Sequence, residues 1–444
     1  MKKGMVRKLK IAVIGIGYVG ITTAVSLGEL GHQVVGADMD DTKIKQLKSG
    51  ILPIYEPHVE TVIRKLLREE SLHFTTSIKE AVERAEIVFI TVGTPPLADG
   101  RPNMKHIGDV ATEIGRHIRE YSIIVNKSTV PVGTTDDVQS IIADQLKLRE
   151  VNVPFDVVSN PEFLQEGRAL QNARKPDRII IGCSSPAAAE IMLQLYEKVD
   201  APKQITSPRN AEMIKYASNA FLATKITLMN EIARLCDRLA VDVSEVAKGL
   251  GMDKRIGPHF LQAGIGYGGS CFPKDISALV MMGREAQIEM SILEGVQEVN
   301  QLQTDWFLDK VKQQMGDLYG KRITLFGFAF KPDTDDIREA PSLKIIVGLL
   351  NEGAIISGFD PAVNKKITEM FPSVTVIEDA YQAAKEADAV VICTEWDEII
   401  NLDWRKIKGL MKGNFIFDGR NVLDWRMLQQ EGLRYWGVGR NMNT

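Results

Sequence analysis

The chain repeats one organisational unit, and this repeat restricts its fold more than any other feature. In the first copy an apolar strand, Lys10 to Gly15, leads through the segment G-I-G-Y-V-G into a helix, and a second strand, Gln33 to Asp38, ends in an acid. In the second copy a strand within residues 321–330 precedes a helix through Leu350, and the next strand closes at Asp360. Strand, helix and strand in this order form a parallel βαβ unit. Two parallel α/β domains are therefore predicted.

Only the first copy carries glycines where a dinucleotide needs them. Gly15 permits a tight turn after the strand, Gly17 lets a pyrophosphate approach the main chain, and Gly20 lets the helix pack closely on the strand. Asp38 stands where a carboxylate bonds both ribose hydroxyls and repels a 2′-phosphate. We therefore predict NAD, and not NADP, as the cofactor. The second copy is predicted to be a nucleotide-like binding domain without a dinucleotide site.

The remaining pattern divides the chain into regions. Strands predicted at Ile87–Val92, Ser122–Lys127 and Phe155–Ser159 alternate with helices and extend the first unit into one doubly wound parallel sheet. From about residue 208 helical periodicity takes over, and one long helix is expected from Arg209 to Ala240. The predicted regions are an NAD-binding Rossmann domain (1–207), a central helical region with a cysteine loop (208–314) and a second Rossmann-like domain (315–444). A long apolar helix between two domains has two faces to bury, which predicts a homodimer through it.

Charge and cysteine content exclude several classes of function. The net charge is only −4, with the charges interspersed, so no basic surface for nucleic acid is expected. The four cysteines are far apart without a C-x-x-C pair, and none of the six histidines has the spacing of metal ligands. We predict no metal site, no disulfide framework, no membrane partner and a cytoplasmic location.

A glycine-rich segment holds the candidate nucleophile. Residues 263–275 read A-G-I-G-Y-G-G-S-C-F-P-K-D, and Pro273 suits the first turn of a helix. Cys271 is therefore expected just before or at a helix N-terminus, where the helix dipole lowers a thiol pKa and favours the thiolate. A cysteine can instead be a small buried apolar group. The glycine loop and the nearby Asp275 favour chemistry.

The long predicted helix carries two polar residues in an apolar stretch. Lys215 and Asn219 are four residues apart and share one helix face. Such groups are costly to bury without partners. They are interpreted as donors aimed at a developing oxyanion, although Lys215 alone could also extend to solvent.

Five segments resemble, in order, those of the UDP-glucose 6-dehydrogenase family: N-P-E-F-L-Q-E-G, A-E-M-I-K-Y-A-S-N-A-F-L-A, G-Y-G-G-S-C-F-P-K-D, A-F-K-P-D-T-D-D-I-R and D-G-R-N. The resemblance covers essentially the whole chain. It implies oxidation of C6 of UDP-glucose to a carboxylate with two NAD and one water, through a thiohemiacetal and a thioester on Cys271. It also implies that the region 315–444 binds the UDP-sugar.

The resemblance also implies roles for individual residues. The catalytic set is Cys271, Lys215, Asn219, Asp275, Glu162 and Thr129. The cofactor contacts are Gly15, Gly17, Tyr18, Val19, Gly20, Asp38, Lys43, Thr94, Ser128, Thr129, Glu166, Lys274 and Arg338. The substrate contacts are Glu162, Phe163, Leu164, Lys215, Asn219, Phe260, Leu261, Gly264, Gly268, Lys331 and Arg420, with Arg255 reaching the substrate of a neighbouring subunit.

Three alternatives stay open. A sister enzyme could act on UDP-N-acetylmannosamine, UDP-N-acetylglucosamine or GDP-mannose, although the intact P-E-F-L segment from Pro161 to Leu164 favours UDP-glucose. A Rossmann-type protein could sense nucleotides without turnover. A two-electron alcohol dehydrogenase could stop at the aldehyde, with Cys271 only structural.

Overall fold

The structure, a computed structural model, describes residues 7–440. It divides into two compact units whose boundary in the sequence lies between Ser218 and Asn219. Each unit contains one α/β sheet, and a single helix of 32 residues runs through the boundary. The predicted fold class, two Rossmann-like sheets joined by a long central helix, is confirmed. The division into three regions stays a prediction.

The sheet of the first unit has eight strands in the order β3-β2-β1-β4-β5-β6-β7-β8. Its pairs are parallel except that between β6 and β7, which is antiparallel and consists of one residue pair, Ser159 and Gly182. An apolar run indicates a strand but not its direction, so this reversal was not predictable. The strands are β1 (Lys10–Ile14), β2 (Gln33–Ala37), β3 (Leu72–Thr75), β4 (Ile87–Ile90), β5 (Ser122–Asn126), β6 (Phe155–Ser159), β7 (Ile179–Gly182) and β8 (Lys203–Thr206).

Both faces of this sheet are buried. Ile11 and Val13 of β1 pack in one apolar cluster, while Ala12 and Ile14 pack in a second. A strand covered on both faces must be apolar throughout, which explains the unbroken apolar run after Lys10. The helices of this unit are α1 (Tyr18–Glu29), α2 (Asp41–Lys48), α3 (Val59–Arg68), α4 (Ile78–Val82), α5 (Lys105–His117), α6 (Thr134–Leu148), α7 (Ala169–Arg174) and α8 (Pro186–Leu195).

The long helix α9 (Pro208–Leu239) agrees with the prediction of Arg209 to Ala240. In the second unit its residues Met229 and Ala233 belong to the apolar core. No helix within residues 7–440 combines the length and apolar character needed to cross a membrane.

The second unit contains a six-stranded parallel sheet in the order β11-β10-β9-β12-β13-β14, which repeats the order of the first six strands of the other unit. Its strands are β9 (Arg322–Phe326), β10 (Ile355–Phe359), β11 (Thr375–Val376), β12 (Ala389–Ile392), β13 (Phe415–Asp418) and β14 (Arg434–Gly437). Its helices are α10 (Val243–Gly251), α11 (Phe272–Glu285), α12 (Ser291–Met315), α13 (Pro341–Asn351), α14 (Asn364–Met370), α15 (Ala380–Ala383), α16 (Asp397–Ile400), α17 (Trp404–Leu410) and α18 (Trp425–Gln430).

Strand order reverses between β1 and β4 in the first sheet, and between β9 and β12 in the second. In open α/β sheets, ligands bind at such switch points, outside the carboxyl ends of the strands. The candidate residues should therefore be sought on the loops that follow these strands.

Candidate active site

The turn between β1 and α1 fits a dinucleotide. Gly15 has φ +95°, and a Cβ built on Gly20 would lie 1.9 Å from the carbonyl oxygen of Gly15. A Cβ built on Gly17, the N-cap of α1, would meet nothing within 4 Å. Gly20 is thus required by packing, whereas Gly17 leaves the face before the helix open. A helix N-terminus with an open approach suits a pyrophosphate, and the first turn of α1 holds Tyr18, Val19 and Gly20.

Asp38 directly follows β2 and is tied to this turn. Its Oδ2 accepts a hydrogen bond from the backbone N–H of Ile16 at 2.8 Å and pairs with Nζ of Lys43 at 2.9 Å. The side chain of Asp38 keeps 10% of its surface exposed. The structure therefore brings together Asp38, Lys43 and the glycine turn, which the sequence assigned to one cofactor site.

The loops that follow β4, β5 and β6 in the first unit are hydrogen-bonded to one another. Thr94 Oγ1 donates to the carbonyl oxygen of Thr129 at 2.9 Å, and Ser128 Oγ donates to that of Val92 at 2.7 Å. These bonds join the loops after β4 and β5. The ammonium of Lys127 lies 3.2 Å from Asn160 Oδ1, which joins the loop after β5 to the segment after β6.

An almost fully buried ion pair lies at the end of these loops. Nζ of Lys215 on α9 is 2.9 Å from Oε1 of Glu162, with 4% and 6% of the two side chains exposed. Burial alone would raise the pKa of Glu162. The charge and hydrogen bond of Lys215, the N–H of Leu164 and the charge of Lys127 together hold this pKa below its usual value. Lys215 does not extend to solvent, and Glu162 is a carboxylate at neutral pH.

The neighbours of Glu162 complete this part of the first unit. The ring of Phe163 stacks under the guanidinium of Arg178 at 3.8 Å and lies 5.4 Å from the ammonium of Lys215. The buried carboxylate of Glu56, which the sequence analysis did not identify, accepts from the N–H of Gly167 at 2.6 Å and of Ala169 at 2.8 Å. Glu56 thus fixes the segment that carries Glu166.

In the second unit, Cys271 is the N-cap of α11, and Pro273 lies in the first turn. The predicted placement of this cysteine at a helix N-terminus is confirmed. Cys271 is partly buried, and its Sγ lies 3.6 Å from Oγ of Ser270. It is therefore not an apolar core residue like Cys236 or Cys393, which are 5% and 1% exposed.

Asp275 lies one turn after Cys271 and is 1% exposed. Its Oδ2 accepts from Nδ2 of Asn219 at 2.6 Å, and its Oδ1 pairs with the ammonium of Lys274. Three of the predicted site residues thus form one buried group at the start of α11. The bond fixes the amide of Asn219, because the nitrogen must face the carboxylate.

Amide side chains that the sequence analysis missed hold the glycine loop. Asn230 Oδ1 accepts from the N–H of Gly264 at 2.8 Å, and Gln303 Nε2 donates to the carbonyl oxygen of Gly264 at 2.7 Å. Asn300 bonds both backbone groups of Tyr267, at 2.9 and 3.1 Å. The signal that could have found these residues is an amide in a position of α9 or α12 that faces the core, because buried polar groups need partners.

The loop glycines are explained by packing within the chain. A Cβ on Gly268 would lie 2.1 Å from the carbonyl oxygen of Glu339, and one on Gly264 would lie 2.8 Å from that of Gly419. The resemblance implied that both glycines contact the substrate. At both positions the space that a Cβ would need is filled by the backbone of the second unit itself.

Other candidate substrate contacts differ in their surroundings. Arg420 donates to the carbonyl oxygens of Cys393, Gly266 and Phe330 at 2.7, 3.2 and 3.2 Å, which places it between the cysteine loop and the strand ends. Phe260 has φ +63°, a strained value for a bulky residue. Arg255 is highly exposed and pairs with Asp253. Leu261 is buried, Lys331 is partly buried, and Arg338 forks onto Asp336.

Family models match three consecutive parts of the chain. The NAD binding domain of the UDP-glucose/GDP-mannose dehydrogenase family matches residues 9–200. The central domain of this family matches residues 209–302, and its UDP binding domain matches residues 324–425.

Individual proteins match over nearly their full length. UDP-glucose 6-dehydrogenase TuaD of Bacillus subtilis is 43% identical over 432 residues, which cover 97% of this chain and 93% of that protein. The structure of a UDP-glucose dehydrogenase from the archaeon Pyrobaculum islandicum has a TM-score of 0.91 at 39% identity and covers 99% of both chains. That of a UDP-D-ManNAc dehydrogenase from Pyrococcus horikoshii has a TM-score of 0.85 at 27% identity, covering 97% of this chain and 99% of the other. The chain therefore belongs to the UDP-glucose/GDP-mannose dehydrogenase family, and it is an NAD-dependent dehydrogenase, as its motifs predict.

Proposed function

We propose that this protein oxidises UDP-glucose at C6 to UDP-glucuronate, with two NAD and one water consumed per sugar. The observation that carries the proposal is the position of Cys271 as the N-cap of α11, the end of the helix where the dipole favours negative charge. The relatives support the substrate, because the Bacillus subtilis protein is named a UDP-glucose 6-dehydrogenase. The intact segment from Pro161 to Leu164 supports it as well.

A cysteine explains how four electrons are removed without release of an aldehyde. Bound NAD supplies the acceptor for each hydride. The C6 hydroxyl loses its proton to a base of the protein as the alcohol becomes an aldehyde. The thiolate of Cys271 then adds to the aldehyde carbon and forms a thiohemiacetal. Loss of the remaining hydride from that carbon leaves a thioester, and water displaces the thiol as the carboxylate forms.

The polar residues divide the remaining tasks. Lys215 and Asn219 stabilise the negative oxygen that appears during each step, and one such donor is typically worth about 3 kcal/mol. Asp275 orients the amide of Asn219 through their 2.6 Å hydrogen bond. Because the pKa of Glu162 is held low, this carboxylate is a weak base, which suits orienting the hydrolytic water together with Thr129.

Product stoichiometry tests the proposal. The purified protein should form two NADH for each UDP-glucose consumed, together with UDP-glucuronate. A nucleotide sensor would form none, and an enzyme that stops at the aldehyde would form one. Parallel incubations with UDP-N-acetylglucosamine, UDP-N-acetylmannosamine and GDP-mannose test the sister activities. Faster turnover of any of these sugars would overturn the assignment of UDP-glucose.

A cysteine substitution tests the covalent step. Cys271→Ser should abolish formation of the acid while NAD binding and the thermal midpoint stay close to those of the wild type. Cys183→Ser is the matched control, because Cys183 is a partly exposed free thiol in the first unit. Unchanged acid formation by Cys271→Ser would contradict the covalent mechanism.

The homodimer is part of the proposal and is supported by α9. Phe221, Leu228 and Leu235 recur every seven residues on this helix and are 67%, 53% and 58% exposed. Residues seven apart lie on one helix face, so these side chains form an apolar stripe suited to a second copy of the chain. Leu228→Lys should halve the mass measured by sedimentation equilibrium. Met370→Lys on α14, where Met370 is 52% exposed, should not.

Three further assignments belong to this proposal. Regions 1–207, 208–314 and 315–444 serve NAD binding, dimerisation with the cysteine loop, and binding of the UDP-sugar, respectively. Arg255 serves the substrate of the neighbouring subunit, as its exposure allows. The location is the cytoplasm, because Cys183, Cys236 and Cys393 are free thiols.

A further inference from the structure

Lys127 is a charged residue beside the Glu162–Lys215 pair that the proposed mechanism does not use. It directly follows β5, and its Nζ lies 3.2 Å from Oδ1 and 3.5 Å from the carbonyl oxygen of Asn160. Glu162 is two residues beyond Asn160. The ammonium therefore holds the turn that presents the carboxylate.

Asn160 can transmit this effect because hydrogen bonds hold both its side chain and its backbone. It is 1% exposed, its Nδ2 donates to the carbonyl oxygen of Ile180 at 2.7 Å, and its Oδ1 accepts from the hydroxyl of Tyr196 at 2.7 Å. Its backbone N–H donates to the carbonyl oxygen of Asn126 at 2.9 Å. With these bonds made, loss of the Lys127 ammonium would leave Oδ1 with one donor fewer.

The second effect of Lys127 is electrostatic. The titratable groups that act on it are Glu162 after β6 and Lys215 on α9, and the hydroxyl of Tyr196 donates to the same Oδ1 of Asn160. Two ammonium groups and one carboxylate leave a net charge of one positive unit when Lys127 is protonated. Removal of the ammonium from water and repulsion by Lys215, opposed by attraction to Glu162, lower the pKa of Lys127 to about 8.

We propose that Lys127 is a positioning residue of the dehydrogenase. It fixes the Asn160–Glu162 turn, and its ammonium gives the group formed by Lys127, Glu162 and Lys215 a net charge of one positive unit. This inference rests on the proposed function, because the excess charge acts on the negative oxygen that forms during oxidation. This group of three residues then has its net positive charge only while Lys127 is protonated.

The pH profile of kcat tests this role in the intact enzyme. The wild type should lose activity as pH rises through about 8, where Lys127 deprotonates. Lys127→Met should lack this alkaline limb and should lower kcat by roughly 10- to 100-fold, with a smaller change in KM. Lys127→Arg should restore most of kcat and move the limb beyond about pH 10, because a guanidinium stays protonated there. The exposed Lys147→Met on α6 is the matched control and should match the wild type.

Two outcomes in this assay would overturn the proposal. One is a wild-type alkaline limb that persists unchanged in Lys127→Met, because the titrating group would then be another residue. The other is a Lys127→Arg variant as impaired as Lys127→Met, because charge would then not matter. A residue that only supports the fold would lower the thermal midpoint and leave the shape of the profile unchanged.

The pH dependence of the free energy of unfolding tests the role of Lys127 separately from the proposed function, because this measurement needs no substrate. The folded pKa, about 8, lies below the ordinary value of 10.5, so between these pH values the unfolded chain binds more protons. The stability of the wild type should therefore rise relative to Lys127→Met as pH increases through this window. A flat difference would overturn the role of Lys127, whereas absence of turnover with a rising difference would refute only the proposed reaction.

Discussion

Each of the two units has the same backbone turn after its first strand, bonded to the acid that closes its second strand. The surroundings of the two turns differ. Gly15 donates to the carbonyl oxygen of Ala37 at 2.8 Å, and Gly327 donates to that of Phe359 at 2.8 Å. The N–H after each glycine, of Ile16 or of Phe328, donates to the acid that closes the second strand, Asp38 or Asp360. The backbone of a Rossmann turn is therefore present twice.

The two acids differ in how much of their surface stays exposed and in which groups they bond. Asp360 is 0% exposed, and its two oxygens accept from the N–H groups of Phe328, Ala329, Ala362 and Val363 and from the indole of Trp396. Asp38 keeps part of its surface exposed and faces Lys43. Helix α1 begins three residues after Gly15, whereas α13 begins only at Pro341. The acid of the second unit is thus wholly enclosed by the fold, whereas the acid of the first unit keeps surface that a ligand can reach.

The largest effect predicted by this comparison is on stability. Asp360→Ala should destabilise the protein by about 3 kcal/mol or more, because five donors lose their acceptor and four of these hydrogen bonds are buried. Asp38→Ala, the matched substitution in the other unit, should cost about 1 kcal/mol. Urea unfolding followed by tryptophan fluorescence and circular dichroism measures both. Equal losses would show that the two acids have the same task.

Cofactor preference, in contrast to stability, should depend mainly on Asp38. Asp38→Ala should weaken NAD binding by about tenfold, because a charged hydrogen bond to the ribose is lost. It should also admit NADP, since Lys43 would lose its 2.9 Å partner and could meet the 2′-phosphate. Isothermal titration with each dinucleotide measures this without turnover. An unaltered preference in Asp38→Ala would mean that this carboxylate does not face the ribose.

Much of this contrast could be predicted from the sequence because it depends on local pattern. The apolar strands, the fingerprint glycines, the absence of those glycines after Gly327 and the acids at Asp38 and Asp360 are all visible in order along the chain. The start of a helix at Cys271 followed from Pro273. These features are decided by neighbouring residues, which is why sequence reasoning reached them.

What could not be predicted depends on contacts between distant segments. The bond from Asn219 to Asp275 joins residues 56 apart, and no local rule selects that carboxylate among the many in the chain. The same holds for the amides of Asn230 and Gln303 that hold the cysteine loop. The antiparallel attachment of β7 also belongs here, because strand direction is set by the path of the whole chain.

The smallest effect predicted concerns Gly17, one of the two glycines that only the first turn possesses. Gly17→Ala should leave the free energy of unfolding within about 0.5 kcal/mol of the wild type, because the added Cβ meets no atom within 4 Å. It should still weaken NAD by several-fold, since that Cβ occupies the open face before α1 where the pyrophosphate approaches. Urea unfolding and NAD titration on one preparation measure the two effects.

Gly20→Ala is the control that gives this result its meaning. Its Cβ would lie 1.9 Å from the carbonyl oxygen of Gly15, so it must move backbone and should destabilise the first unit by about 1–3 kcal/mol before any cofactor is added. If Gly17→Ala proved as destabilising as Gly20→Ala, the open face would be closed in solution. The two turns would then differ in packing alone, and the glycine fingerprint would no longer explain how the first unit receives a dinucleotide.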